Sequence, residues 1–122
     1  MRLPRTCSIN QRAVFARVKK TGQSKAGRFV ILSTLLDLEL PTIRTGFITT
    51  KRSAKKAHDR VLLRRRLRAL VQTYAPEFPE IRRYLITITR QGAATATFAE
   101  LEADWVKQAR RLSLLLRPEQ KS

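Results

Sequence analysis

The chain has one cysteine, Cys7, and one histidine, His58, in 122 residues. No disulfide can form within it, and two such ligands fall short of the three that a zinc site needs. Cys-His or Ser-His-Asp chemistry would have to use His58. That residue lies in Lys55-Lys56-Ala57-His58-Asp59-Arg60, a helix-like basic run with no third orienting group. It reads as a solvated helix residue. Acids are scarce too: Asp and Glu total nine and are scattered, with Glu100, Glu102 and Asp104 far along the chain from the basic run. Their spacing argues against a carboxylate-held metal or a hydrolytic constellation. No apolar run approaches the roughly 18 residues of a membrane span. Met1-Arg2-Leu3-Pro4-Arg5 lacks the apolar core of a secretory signal.

What the chain has is positive charge. Lys and Arg total 26, for a net charge of +17, beside a hydrophobic content of 43%. That content supports a modest core, and the length supports one domain over residues 1–122. A small body so charged repels itself, so the expected partner is a polyanion.

Residues 1–7 read as a flexible basic arm, and residues 118–122 as a frayed end. Ser8-Ile9-Asn10-Gln11 fits a capping box that starts a short helix to about Lys20. Val14, Phe15 and Val18 form its apolar stripe, and Gly22 suits a left-handed cap. Arg28–Leu36 is β-rich and mostly apolar, a largely buried strand. Leu35–Leu40 could continue it or form a loop edge, and Pro41 interrupts. Ile43–Thr50 is a further strand, and the short spacing predicts antiparallel neighbours. A long helix is expected from Ser53 to Tyr74, with Pro76 just past its end. Glu77-Phe78-Pro79-Glu80 is a turn and Tyr84–Thr89 a strand. Thr97-Phe98-Ala99-Glu100 is a second capping box. The helix after it carries Phe98, Leu101, Trp105, Ala109, Leu112 and Leu116 on one side, with Pro118 as its stop. This order predicts an α+β fold, helices layered against a small sheet.

Residues 51–68 hold nine basic residues against one acid, Asp59. Leu63, Leu67, Leu70, Val71 and Tyr74 recur at three- and four-residue steps, which makes one core-facing stripe. At about 100° per residue, Arg64, Arg65 and Arg68 fall opposite, with Arg60 at the border. Arginine forks suit phosphate oxygens, so this cationic rail points to nucleic acid. No zinc-finger spacing, leucine zipper or helix-turn-helix pair marks a DNA reader. Single-stranded RNA is often held by aromatics beside a basic groove. Phe15 and Phe29, each near basic residues, are either stacking platforms or core residues.

The order of segments resembles the protein subunit of bacterial ribonuclease P. The resemblance runs through Phe15-Ala16-Arg17-Val18 to Gly22, Ala26-Gly27-Arg28-Phe29-Val30-Ile31-Leu32, and Arg44-Thr45-Gly46-Phe47-Ile48-Thr49-Thr50-Lys51-Arg52. It continues through Arg64-Arg65-Arg66-Leu67-Arg68-Ala69-Leu70-Val71, Tyr84–Arg90 and Thr97-Phe98-Ala99-Glu100-Leu101. It implies a single-domain, two-layer fold like the second domain of ribosomal protein S5. Three helices would pack on a small mixed sheet with a left-handed β-α-β crossover, against the general preference. It also implies a cytoplasmic ribonucleoprotein whose large RNA carries the active site and the magnesium ions. The protein would bind that catalytic RNA and the single-stranded 5′ leader of precursor tRNA, with no membrane and no obligate protein partner. The leader would lie in a cleft between the first helix and the sheet.

Position by position, Phe15 matches a cleft aromatic, and Arg12 joins it by charge and place. Phe29, or its neighbour Val30, would line the cleft floor. Ser33 stands where the family often has a cleft tyrosine, which leaves fewer stacking groups. Lys51, Arg52 and Lys56 match basic positions entering the signature helix, and Arg60, Arg64, Arg65 and Arg68 match its cations. The family signature Arg-Asn-Arg reads Arg60-Val61-Leu62 here, with one extra residue near Lys55. A slid alignment over Arg64-Arg65-Arg66 needs a longer insertion. Valine cannot offer the amide hydrogen bonds of asparagine. Either neighbouring arginines compensate, or this is a divergent copy with weak activity. The alternatives are a ribosome-associated RNA-binding protein on the same kind of fold and a protein-only nuclease, which would need a surface carboxylate cluster.

Overall fold

A computed structural model describes residues 12–115. The arm at 1–7, the Ser8–Gln11 capping box, Leu116, and the stop and fraying at 118–122 lie outside the described residues. Helix α1 spans Arg12–Thr21, strand β1 Gln23–Ala26, β2 Val30–Leu36 and β3 Arg44–Ile48. Helix α2 follows at Ala57–Tyr74 and runs into a single 3-10 turn at Ala75–Glu77. Strand β4, Arg83–Thr89, and helix α3, Phe98–Arg111, complete the fold.

The four strands lie in the order β1-β2-β4-β3. β4 pairs antiparallel with β2 and parallel with β3. The sheet is therefore mixed, and β3-α2-β4 is a parallel crossover. The expectation that β2 and β3 are neighbours is corrected: β4 lies between them. Short loops join adjacent strands only where an edge is free, and both edges of β2 are taken. One is held by β1, which the sequence reading missed because Gln-Ser-Lys-Ala carries no apolar alternation.

Strand alternation separates two faces. Val30, Leu32, Thr34, Thr45, Phe47, Leu85 and Thr87 share one, by parity and register. Against it pack Leu63, Leu67, Leu70 and Val71 of α2 and Leu101, Trp105 and Ala109 of α3, all buried. Trp105 is fully enclosed; its indole N–H donates to Thr87 Oγ1 at 3.3 Å, and its ring stacks on Tyr74 at 5.7 Å. The expected two layers hold on this side. Helix α1 adds partial cover to the other face, where buried Val18 and Ile86 stand apart from the main core.

Local chemistry explains the ends of these elements. Gly22 is not left-handed, as the sequence suggested, since Gly92 is the described glycine with positive φ. Gly22 is needed for space: a β-carbon would collide with the Thr34 carbonyl oxygen and sit 2.6 Å from that of Val18. The Thr97 capping box is present in full. Thr97 Oγ1 accepts from the Glu100 N–H at 3.1 Å, and Glu100 Oε1 accepts from the Thr97 N–H at 3.0 Å. Helix α3 stops at Arg111, before the expected proline. Ser113 takes a left-handed φ of 61° and the Leu114 N–H turns back to the Ala109 carbonyl at 2.8 Å, the close usually given to glycine. Phe98, expected in the core stripe, is exposed at the first turn of α3.

Candidate nucleic-acid interface

Helix α2 starts four residues later than expected because Ser53 is used elsewhere. Its Oγ donates to the Thr50 carbonyl at 2.9 Å and accepts from the Thr50 N–H at 3.1 Å and from Thr89 Oγ1 at 2.6 Å. This buried knot pins the turn after β3 to the end of β4. Lys51 and Arg52, on the crown of that turn, are left exposed, as is Lys56 just ahead of the helix.

The cations of α2 divide into two sets. Arg60 Nη1 donates to the Ala54 and Lys55 carbonyls, both at 2.9 Å. Arg64 Nη1 donates to Thr49 Oγ1 at 2.8 Å. The Arg68 guanidinium lies over the Phe47 ring, 5.9 Å from its centre. These three, spaced i, i+4 and i+8, climb the helix in steps of about 6 Å. They line the flank that faces the end of β3, so the rail is not opposite the core as the helical wheel suggested. Arg65 alone of the predicted set points outward without a tether. Beside it Val61 is 44% exposed and Leu62 half-buried.

Among the described residues, none of Lys51, Arg52, Lys56, Arg60, Arg64, Arg65 and Arg68 is held in an ion pair with a carboxylate. Asp59 is the one acid on α2, and four of the other acids are engaged elsewhere. Asp37 pairs with Arg17 at 3.6 Å and Glu80 with Arg82 at 2.6 Å. The Arg82 hydrogen bonds hold the Glu80 carboxyl well below its usual value, at about 2. Glu102 accepts from the Tyr74 hydroxyl at 3.1 Å; burial first, then this bond, pushes the Tyr74 phenol up. Asp104 accepts the N–H groups of Arg28, Phe29 and Val30 at 2.8–3.2 Å and fixes the entry to β2. Among the described residues no three His, Cys, Asp or Glu side chains are grouped to hold a metal ion.

The second region is the face under α1. Ile31, Ser33, Tyr84, Ile86, Ile88 and Ile48 belong to it by register. A hollow of about 130 Å³ is lined there by Phe15, Ala16 and Lys19 of α1 and by Ser33, Ile48, Ile86 and Ile88. Phe15 is half-buried. Arg12, exposed, stands one turn before Phe15 on the same stripe. At the far end of this face the Arg17 guanidinium lies over Tyr84 at 5.8 Å. Arg44, in register with Tyr84, keeps a buried Nε without a partner.

The structure does not bring Phe29 to this hollow. Its ring is 9% exposed and joins the main core, against Gly92 and under the Arg28 guanidinium at 5.0 Å. Val30 is fully buried on the α3 side. The cleft-floor assignment for both is corrected: strand parity turns them to the α3 side, and the sheet side of the hollow is made by Ser33, Ile48, Ile86 and Ile88. Lys19 and Arg44 were missed. Lys19 was legible at four residues from Phe15; Arg44 required the order of the strands.

Comparisons with known proteins agree with this geometry. The Ribonuclease P family pattern matches residues 3–113. The ribonuclease P protein component of Chloroflexus aggregans is 32% identical over 111 residues, covering 91% of this chain and 81% of that one. That of Acidothermus cellulolyticus is also 32% identical, over 91% of this chain and 92% of the relative. The fold matches the RNase P protein of Staphylococcus aureus with a TM-score of 0.80 at 22% identity, over 88% of this chain and 96% of the other. It matches that of Thermotoga maritima at 0.73 and 17%, over 85% and 96%. With a family match over nearly its whole length and relatives at this identity, the chain belongs to the ribonuclease P protein family.

Proposed function

We propose that this chain is the RNA-binding subunit of a cytoplasmic ribonuclease P holoenzyme and assists a catalytic RNA in removing the 5′ leader of precursor tRNA. The active site and its magnesium ions belong to the RNA. Lys51, Arg52, Lys56, Arg60, Arg64, Arg65 and Arg68 meet phosphates of the catalytic RNA. Arg12 and Phe15, together with Lys19, meet the single-stranded leader over the hollow beneath α1; Phe29 serves the core. The observation that carries this reading is a contiguous set of cations without carboxylate partners in a chain of this family. An anion absent from the protein itself must balance them.

No described helix is long and apolar enough to cross a membrane. Val61 is exposed beside outward-facing Arg65 and Leu62 is half-buried, while Arg60, Arg64 and Arg68 keep their tethers on the flank.

Reconstitution with the cognate ribonuclease P RNA tests the reading. Cleavage of precursor tRNA at low magnesium is expected to rise when the protein is added. If about five cations meet phosphates, log K falls against log salt with a slope of roughly −4. Unchanged cleavage would overturn the proposal.

A further inference from the structure

The three flank arginines are each held, but by different means. Arg60 is tied to two backbone carbonyls, which no side-chain substitution removes. Arg68 rests on a ring face. Arg64, the middle rung, depends on one side-chain oxygen, Thr49 Oγ1, at 2.8 Å and fifteen residues away. Thr49 is half-buried just beyond β3 and next to the knot at Thr50 and Ser53. The bond uses one N–H of Nη1. A guanidinium has five N–H donors in a planar fork, so the rest remain for an incoming anion.

A free arginine loses rotamer freedom when it grips a phosphate, at a cost that weakens binding. A guanidinium already fixed has met that cost on folding. Side chains that leave the helix at steps of about 6 Å on one flank offer a row of donors, as a nucleic-acid backbone presents a row of phosphates. Thr49 offers Arg64 an acceptor with no charge. A carboxylate there would hold the arginine as firmly, but would neutralise it.

We propose that Thr49 is a positioning residue for the RNA interface: its hydroxyl fixes Arg64 as the central rung of an Arg60–Arg64–Arg68 ladder that receives consecutive backbone phosphates. This rests on the RNA-binding reading above and names which cations are preorganised and by what.

The test is a double-mutant cycle on the full chain, with binding to the cognate ribonuclease P RNA measured across a salt series. Arg64→Ala should weaken binding and make the salt slope shallower by nearly one. Thr49→Val, which keeps size and every charge, should weaken binding by about 3- to 10-fold with the slope unchanged. Thr49→Ser should restore most of the loss. In the Arg64→Ala background, Thr49→Val should have no further effect. Thermal unfolding of each variant establishes that the fold is intact. If Arg64→Ala leaves affinity unchanged, Arg64 is not an RNA contact and the ladder falls, while the broader reading is decided by the cleavage reconstitution above. Should Arg64→Ala weaken binding while Thr49→Val does not, the reading stands and the positioning role is lost. A Thr49→Val effect that persists without Arg64 also overturns it, since Thr49 then acts on its own.

Discussion

The two ends of the sheet treat their arginines differently. At the end where β4 begins, two exposed arginines face acids, Arg17 facing Asp37 and Arg82 facing Glu80, while half-buried Arg83 is held by the Glu80 carbonyl and Thr34 Oγ1. At the other, the β3–α2 turn and α2 carry the seven candidate cations, and the three that are tethered, Arg60, Arg64 and Arg68, are held by carbonyls, a hydroxyl and a ring. Uncharged tethers fix a guanidinium without cancelling its field. The contrast teaches that an arginine's partner says more about its role than its exposure does. An arginine paired with an acid has its charge balanced within the protein; one tethered only by uncharged groups keeps it.

The largest expected effect breaks the bare end. Replacing Arg64, Arg65 and Arg68 with Glu should lower affinity for the catalytic RNA on the order of 10³-fold, from three charge-assisted contacts. Arg82→Glu at the paired end should change it less than about twofold, because Arg82 is already balanced by Glu80 and distant exposed charges are screened by salt. Equal losses in the two variants would erase the distinction.

A smaller effect concerns acids. Asp104→Ala should destabilise the fold by about 2 kcal/mol, read in urea, because it strips an acceptor from three backbone N–H groups. RNA affinity at temperatures where the variant is folded should be unchanged.

The smallest effect is one of pH. The folded Glu80 carboxyl lies at about 2, below its ordinary 4.5. A depressed carboxyl stabilises the fold above the ordinary value, and this is lost as pH falls through the folded one. Any difference in melting temperature between the parent and Glu80→Gln should therefore close between pH 4.5 and 2. A gap that widens on acidification would contradict the pairing.

Much of this was legible beforehand. The Leu63–Tyr74 stripe, the capping box at Thr97 and the β4 segment are local patterns, and each formed where local physics put it. The misses are non-local. β1 is a strand because β2 offers it an edge, not because Gln-Ser-Lys-Ala favours extension. The order β2-β4-β3 depends on where a distant strand inserts. In the candidate site the cationic residues were identifiable from charge and spacing, but their lean toward β3 was not. It follows from Thr49, Ala54 and Phe47, which lie outside the helix. Phe29 failed as a cleft residue for a related reason: Asp104, far along the chain, sets how the backbone enters β2.

Trp105 is the chain's lone indole, sealed between α3 and the sheet and laid against Tyr74. Its emission is thus a built-in gauge of core integrity, free of signal from the charged flank. Chemical denaturation should shift that fluorescence to longer wavelength, whereas docking of a nucleic acid on the arginines should leave its colour alone. One cuvette can then separate a variant that has lost its grip from one that has lost its shape.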